Sequence, residues 1–250
     1  MVLSKTYAKV AFFALSAVAL ISISISSSIA AEIKVGQGIL PPYGIKESAS
    51  GIEVDIVRAA LKVKGHTITV RFVPFGRVSQ DFADGKIDAA NTVSPNSGLK
   101  AEFSDSHITY QNVATTLKEG GVTVQTIGDL TSLNVVAFSN ASKYLGDEFA
   151  AMTQASKSYR EVSDQITQNK LLMSGRTEVV VGDFRIFQYY TKKIAGKIEI
   201  KDVVFNKVFA PTDYSVAFRS AAIRDDFNAG LKEIKASGEY DKIIEKYVSN

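Results

Sequence analysis

The 250-residue chain contains no cysteine and has two histidines, His66 and His107. Without cysteine there is no disulfide framework and no thiol to carry a lipid. A zinc site would have to draw most of its ligands from carboxylates, because the two histidines stand far apart. There is no nucleophile elbow, phosphate loop or metal-ligand spacing, so no catalytic metal or cofactor is expected. Basic residues are scattered rather than clustered, which argues against a nucleic-acid footprint. No Pro/Ser-rich linker divides the chain, so a second lobe would have to be joined by short crossings.

No clean apolar run reaches the ~20 residues that a membrane-spanning helix needs. The run at 10–21 is about 12 residues long, follows Lys5 and Lys9, and leads into a Ser/Ile stretch ending Ser28-Ile29-Ala30. This is the pattern of a secretory signal peptide, with small residues at Ser28 and Ala30 set for cleavage before Ala31. An uncleaved anchor would require the run to extend through Ile23 and Ile25, which alternate with serine. A protein released into the periplasm is therefore expected. The remaining 220 residues carry 27 basic and 26 acidic side chains. The chain's 46% apolar composition allows a sizeable core, in one large domain or two lobes.

Strand-length apolar runs alternate with helical periods almost to the end, which predicts an α/β architecture with mainly parallel sheets flanked by helices. Strands are expected at 33–35, 68–72, 87–89, 135–138, 179–181 and 198–204. Ile52, Ile56, Ala59, Ala60 and Val63 make one helical face, ended by Gly65. Further helices are expected at 78–83, 144–152, 165–173 and 184–193, with 221–247 reading as two helices broken at Ser237-Gly238. A weak echo links 83–90 with 173–180: helix end, glycine, basic residue, acid, buried strand. Each half thus reads as carrying its own β-α-β unit. Two extended runs, 108–117 and 214–218, would pair as a two-stranded hinge. That divides the mature chain into a first lobe of 31–112 plus 214–250 and a second of 113–213. Two such lobes would face each other across a cleft at the carboxyl ends of their strands.

Several fragments, in this order and spacing, carry a resemblance: Gly51-Ile52-Glu53-Val54-Asp55-Ile56, Gly85-Lys86-Ile87-Asp88-Ala89-Ala90, Phe103-Ser104-Asp105, Asp129-Leu130, and the tail from Leu231 to Tyr247. Over residues 32–248 the chain resembles the family 3 periplasmic solute-binding proteins of amino-acid ABC importers, with the type II two-lobed fold. The resemblance implies hinge closure around a small polar solute, an inner-membrane ABC permease as partner, and a monomer. It places Tyr43 and Phe75 as aromatic walls, either of which could instead be a core aromatic. Asn91, Thr92 and Ser94 would meet a ligand carboxylate, with Ser94-Pro95 opening a short helix. In the second lobe, Asn140, Ala141 and Ser142 match the turn before a helix, with Ser142 at the usual hydroxyl position. Asp183 matches the acid that pairs with a ligand ammonium, although an acid there can also cap the following helix.

The chain departs from the family where the carboxylate would be gripped. Ser97 occupies the position of the usual arginine, and the stretch from Asp88 to Ser94 is short by about three residues. Arg77 is the best local substitute and could equally serve an ion pair; Lys100 and Arg185 come next. Two rival functions use the same scaffold: an enzyme resembling cyclohexadienyl dehydratase, and a ligand-loaded sensor. An enzyme would need an acid and a base together in the cleft. Glu53, Asp55, Asp183 and His107 are available, without a recognisable constellation. Asp55 is expected to hold the first helix against the sheet edge, His66 to be solvated, and His107 to line the cleft or pack near the hinge.

Overall fold

The structure is a computed structural model describing residues 30–248. The expected signal segment up to residue 29, and with it the sequence context of cleavage, lies outside the described residues. The first half runs β1 (Glu32–Gly38), α1 (Ile52–Val63), β2 (Thr67–Val73), α2 (Val78–Ala83), β3 (Ala89–Val93), β4 (Glu102–Phe103) and β5 (Ile108–Tyr110). After Gln111 the chain enters a second sheet with β6 (Asn112–Leu117), β7 (Val135–Ala137), α3 (Ala141–Tyr144), α4 (Asp147–Ala155) and β8 (Tyr159–Glu161). It continues through α5 (Gln165–Met173), β9 (Val179–Asp183), α6 (Phe184–Ile194) and β10 (Val203–Asn206). It then returns to the first sheet as β11 (Thr212–Phe218), followed by α7 (Ala221–Ala236) and α8 (Glu239–Val248).

The sheets are ordered β2-β1-β3-β11-β4, with β5 also on β11, and β10-β6-β9-β7-β8. Each has three parallel strands at its heart: β2, β1 and β3 in the first, β8, β7 and β9 in the second. The sheets are mainly parallel in strand direction, as expected, with one strand in each, β11 in the first and β6 in the second, running antiparallel to its neighbours. These strands arrive directly from the crossings, without the helical return that a parallel connection requires. Of the two runs expected to pair, 108–117 and 214–218, the pairing joins 108–110 to 212–214 and includes the second run only at Tyr214; the rest of that run pairs with β3 and β4.

Local rules account for the helices that position the site. Apolar spacing buries Ile52, Ile56, Val57, Ala60 and Leu61 of α1 against the first sheet and α7. Gly51 has φ 137, and a Cβ there would lie 2.3 Å from the Tyr43 carbonyl oxygen. Only glycine allows the 39–51 loop to fold back under α1 at this point. The helix expected at 144–152 divides into α3 and α4 because Gly146, at φ 88, cannot continue a helix. The strand expected at 198–204 begins at Val203, which pairs with Leu117, the last residue of β6; before that point β6 offers no partner.

The α1–α7 contact is closer than side chains allow. A Cβ on Gly230 would sit 1.9 Å from the Ala60 carbonyl oxygen, so Gly230→Ala must push two backbones apart. Alanine adds about 1 kcal/mol of helix propensity, yet overpacking costs about 1–3 kcal/mol or more. The expected outcome is a lower thermal midpoint, by a few degrees for a domain of this size. An unchanged midpoint would show that the two helices re-space freely.

Candidate functional site

The carboxyl edges of the two sheets meet at Asp183 and Tyr43. Asp183 ends β9 and caps α6: its Oδ1 accepts the amides of Arg185 at 2.9 Å and Ile186 at 3.1 Å. The same oxygen accepts the Tyr43 hydroxyl at 2.9 Å, from the loop after β1, and Oδ2 accepts the Gln111 amide at 2.9 Å. One carboxylate thus ties the second sheet to the first and to the crossing between them. Burial raises the Asp183 carboxyl above its ordinary range, opposed by the Ile186 amide, the Tyr43 hydroxyl and the Gln111 amide. One acceptor position remains on Oδ2.

Tyr43 has no exposed surface and stacks on Tyr110 with ring centroids 3.8 Å apart. It is a core aromatic in this structure, because the loop carrying it is drawn under α1 through bonds from Ile52 to Pro42 and Glu53 to Tyr43. Burial raises both phenols, which keeps them as hydrogen-bond donors. Arg185 lies beside them, its Nη1 donating to the Thr109 carbonyl at 3.1 Å and to the Tyr43 hydroxyl at 3.4 Å.

Behind Tyr110 lies a fully buried polar network. Glu53 Oε2 accepts the Thr92 hydroxyl at 2.7 Å, the Tyr110 hydroxyl at 2.9 Å and the Gln37 amide at 3.4 Å. Its Oε1 is 3.0 Å from His107 Nε2, and His107 Nδ1 is 3.1 Å from the Tyr214 carbonyl. The acid and base that showed no constellation in sequence are therefore in contact, each with 0% exposure. Gln37 Nε2 faces the Glu53 carboxylate and the Gly38 carbonyl, so its Oε1 must be the atom facing Asn91. Asn91 consequently donates through Nδ2, at 2.7 Å, and its Oδ1 is left buried with no donor. Thr92, beside it, has φ 60, a conformation rare for a β-branched residue and common at binding sites.

The remaining first-lobe candidates stand around this edge. Phe75 is half-buried and packs on Gly38 at the end of β1, where a Cβ would lie 2.8 Å from its ring. Arg77 is largely exposed, and its Nε is 3.3 Å from Asp81, which Arg71 also binds at 2.9 Å. The Arg71 guanidinium, with Arg77 and Lys86, holds the Asp81 carboxyl below its usual range. Arg77 bonds to none of the other expected site residues. Ser94 accepts the Asn96 amide at 3.2 Å, capping the turn 95–97, and Ser97 is exposed.

In the second lobe, Asn140 adopts φ 63 and α3 opens at Ala141. The donors of this turn are already used. Glu161, at the carboxyl end of β8, accepts the Asn140 amide at 2.5 Å, the Ser142 amide at 3.1 Å and the Ser142 hydroxyl at 2.8 Å. Tyr159 donates to the same carboxylate at 2.9 Å. Partial burial works to raise the Glu161 carboxyl, but the Ser142 amide and hydroxyl, Tyr159 and Asn140 together bring it below its usual range. Sequence reasoning did not find Glu161, because nothing local to 159–161 announces a partner 19 residues away.

Two further expectations are corrected. His66 is 2% exposed rather than solvated: its Nδ1 accepts the Ala31 amide at 3.1 Å and its Nε2 faces Asp226 at 3.0 Å. Asp55 holds α1 to α8 rather than to a sheet edge, through Lys246 at 2.8 Å and Tyr247 at 2.5 Å.

Comparison with known proteins agrees with this architecture. The sequence profile of the bacterial extracellular solute-binding proteins, family 3, matches residues 33–250. An arginine-binding periplasmic protein of Mannheimia haemolytica is 23% identical over 229 residues, covering 88% of this chain and 92% of its own. Among solved structures, a histidine kinase sensor domain similar to periplasmic binding proteins superposes with TM-score 0.68 at 19% identity, over 87% of this chain and 96% of that one. An ancestral amino acid-binding protein, a precursor of cyclohexadienyl dehydratase, does so with TM-score 0.65 at 23% identity, over 87% and 96%. These structural likenesses are likenesses of fold. With a profile match spanning nearly all of the described residues, the chain belongs to the bacterial extracellular solute-binding proteins of family 3.

Proposed function

We propose that the chain captures a small polar solute, an amino acid or a related compound, between two lobes that close about a hinge, and delivers it to an ABC permease. The lobes are 31–112 with 214–250, and 113–213. The observation that carries this reading is the meeting of the two carboxyl edges at Tyr43 and Asp183, beside a double crossing in which β5 pairs with β11. A ligand drives closure only by its differential affinity for the closed form, so it must touch both lobes. Phe75, Arg77, Asn91, Thr92 and Ser94 supply one side, Ser142 and Asp183 the other. Tyr43 acts indirectly, by holding Asp183.

A binding role, rather than a catalytic one, is supported by the way Glu53 and His107 are held: their bonds run to each other and to Thr92, Tyr110, Gln37 and the Tyr214 carbonyl. Cleavage before Ala31, release into the periplasm and action as a monomer complete the proposal. The Ala31 nitrogen is already seated on His66, which gives a new amino terminus at that residue a partner.

The test is a thermal-shift screen of residues 31–250 against amino acids, short peptides, polyamines and organic acids. A ligand at 100 times its dissociation constant stabilises by about 2.7 kcal/mol, a shift of several degrees. A hit should also shrink the radius of gyration in solution scattering as the lobes close. Silence across the panel, with the protein folded and free of carried-over ligand, would remove the solute-binding reading.

A further inference from the structure

We infer that the ligand is an organic amine or guanidine without a free carboxylate, and that Glu161 is the residue that sets this preference. The inference rests on the solute-binding reading above and narrows its ligand class.

A carboxylate-bearing ligand needs donors, and the second-lobe turn has spent the ones it was expected to offer. The turn at Asn140–Ser142 would present two amides and a hydroxyl to an anion, yet all three already hold Glu161. In the first lobe, Ser97 carries no charge and Arg77 is paired with Asp81 through Nε; Arg185, in the second, is turned to Thr109 and Tyr43. Acceptors, by contrast, are left open. Glu161 is exposed, ionised and fixed by four donors, three on Oε1 and one on Oε2, so Oε2 keeps an open acceptor position.

Asn91 supplies the independent observation. Its Oδ1 is buried without a donor, and the bonds running from Glu53 through Gln37 forbid the amide flip that would turn Nδ2 outward in its place. Buried acceptors are nearly always satisfied, so one left over on β3 calls for an N–H or O–H donor from outside the chain. Asn91 lies on β3 beside Gln37 of β1, while Glu161 and Asp183 end strands of the second sheet. The Tyr43–Asp183 bond shows that these edges face each other. An acceptor on one lobe, and two carboxylates with open positions on the other, suit a protonated amine or guanidinium that reaches both.

The experiment compares pairs that differ only by a carboxylate: agmatine with arginine, cadaverine with lysine, and putrescine with ornithine, each titrated calorimetrically into residues 31–250. At least one decarboxylated member should bind about tenfold or more tightly than its amino acid, and Glu161→Gln should weaken it by about tenfold, as expected for loss of one charge-assisted bond. The thermal midpoint of the unliganded variant confirms that it is folded, and the wild-type comparison stands without any variant. Tighter binding of the amino acid in every pair overturns the inference. So does an amine affinity that Glu161→Gln leaves unchanged within twofold. Silence from all six compounds also overturns it, whereas the solute-binding reading falls only if the wider panel is silent too.

Discussion

Glu53→Ala should lower the folding stability by about 3–5 kcal/mol, because it strands several buried hydrogen-bonding groups at about 1–3 kcal/mol each. The deletion leaves the Thr92 and Tyr110 hydroxyls, one Gln37 N–H and His107 Nε2 facing an empty, dry space. Each was desolvated on folding with Glu53 as compensation, and each stays desolvated without it. Against a total of about 5–15 kcal/mol for a typical domain, the variant should melt about 10 °C or more below the wild type. Glu53→Gln separates shape from charge. With Nδ1–H of His107 donated to the Tyr214 carbonyl, its Nε2 can accept from a glutamine amide, while the glutamine oxygen still accepts from the hydroxyls. Less than half the alanine cost is expected for Gln. Urea unfolding of both variants checks this, and a cost below about 1 kcal/mol for Glu53→Ala would show that water enters and replaces the carboxylate.

The elements that follow local rules were legible in the sequence. The helix at 165–173 has the bounds of α5, since Asp164 caps it through the Ile166 and Thr167 amides and its end precedes Gly175 at φ 69. The break at Ser237-Gly238 separates α7 from α8 for the same reason, Gly238 having φ 76. The antiparallel additions to each sheet were not legible, because alternation and apolar runs do not record strand direction. The site was legible as residue types and hidden as partnerships. Glu53 and His107 lie 54 positions apart, Tyr43 and Asp183 140 apart, and Ser142 and Glu161 19 apart. Asp183 was legible as an acid at a strand's carboxyl end that could cap a helix or meet an ammonium. Only the fold shows that the cap, the Tyr43 hydroxyl and the Gln111 amide all draw on it together. Asn91 shows the same limit: its amide orientation depends on Gln37 of β1 and Glu53 of α1, both distant in sequence.

Asp183→Ala is the second large effect, and its size comes from the number of donors that converge on one side chain. Losing the cap of α6 costs about 1 kcal/mol. The Gln111 amide and the Tyr43 hydroxyl are stranded as well, at about 1–3 kcal/mol each where water does not reach them. Burial disfavours the carboxylate, so part of this is returned on removing it, and a net loss of about 3 kcal/mol is expected. Tyr43→Phe removes only one of the four donors and should cost about 1 kcal/mol; the double variant should cost clearly less than the sum, since both changes delete the same bond. The pH dependence has a definite sign. Burial raises the folded-state carboxyl above its unfolded value near 3.9, so between that pH and the folded value the native state holds more protons. The Asp183 contribution to stability therefore declines as pH rises through this window, and it is constant above and below. Asp183→Asn abolishes that decline. The same variant separates holding from binding: asparagine keeps an acceptor oxygen for the α6 amides but no charge for a cationic ligand on Oδ2. Its midpoint should fall less than that of Asp183→Ala, while its affinity for the ligand found in the screen falls by about tenfold. Loss of stability with undiminished affinity would leave Asp183 as a structural tie alone.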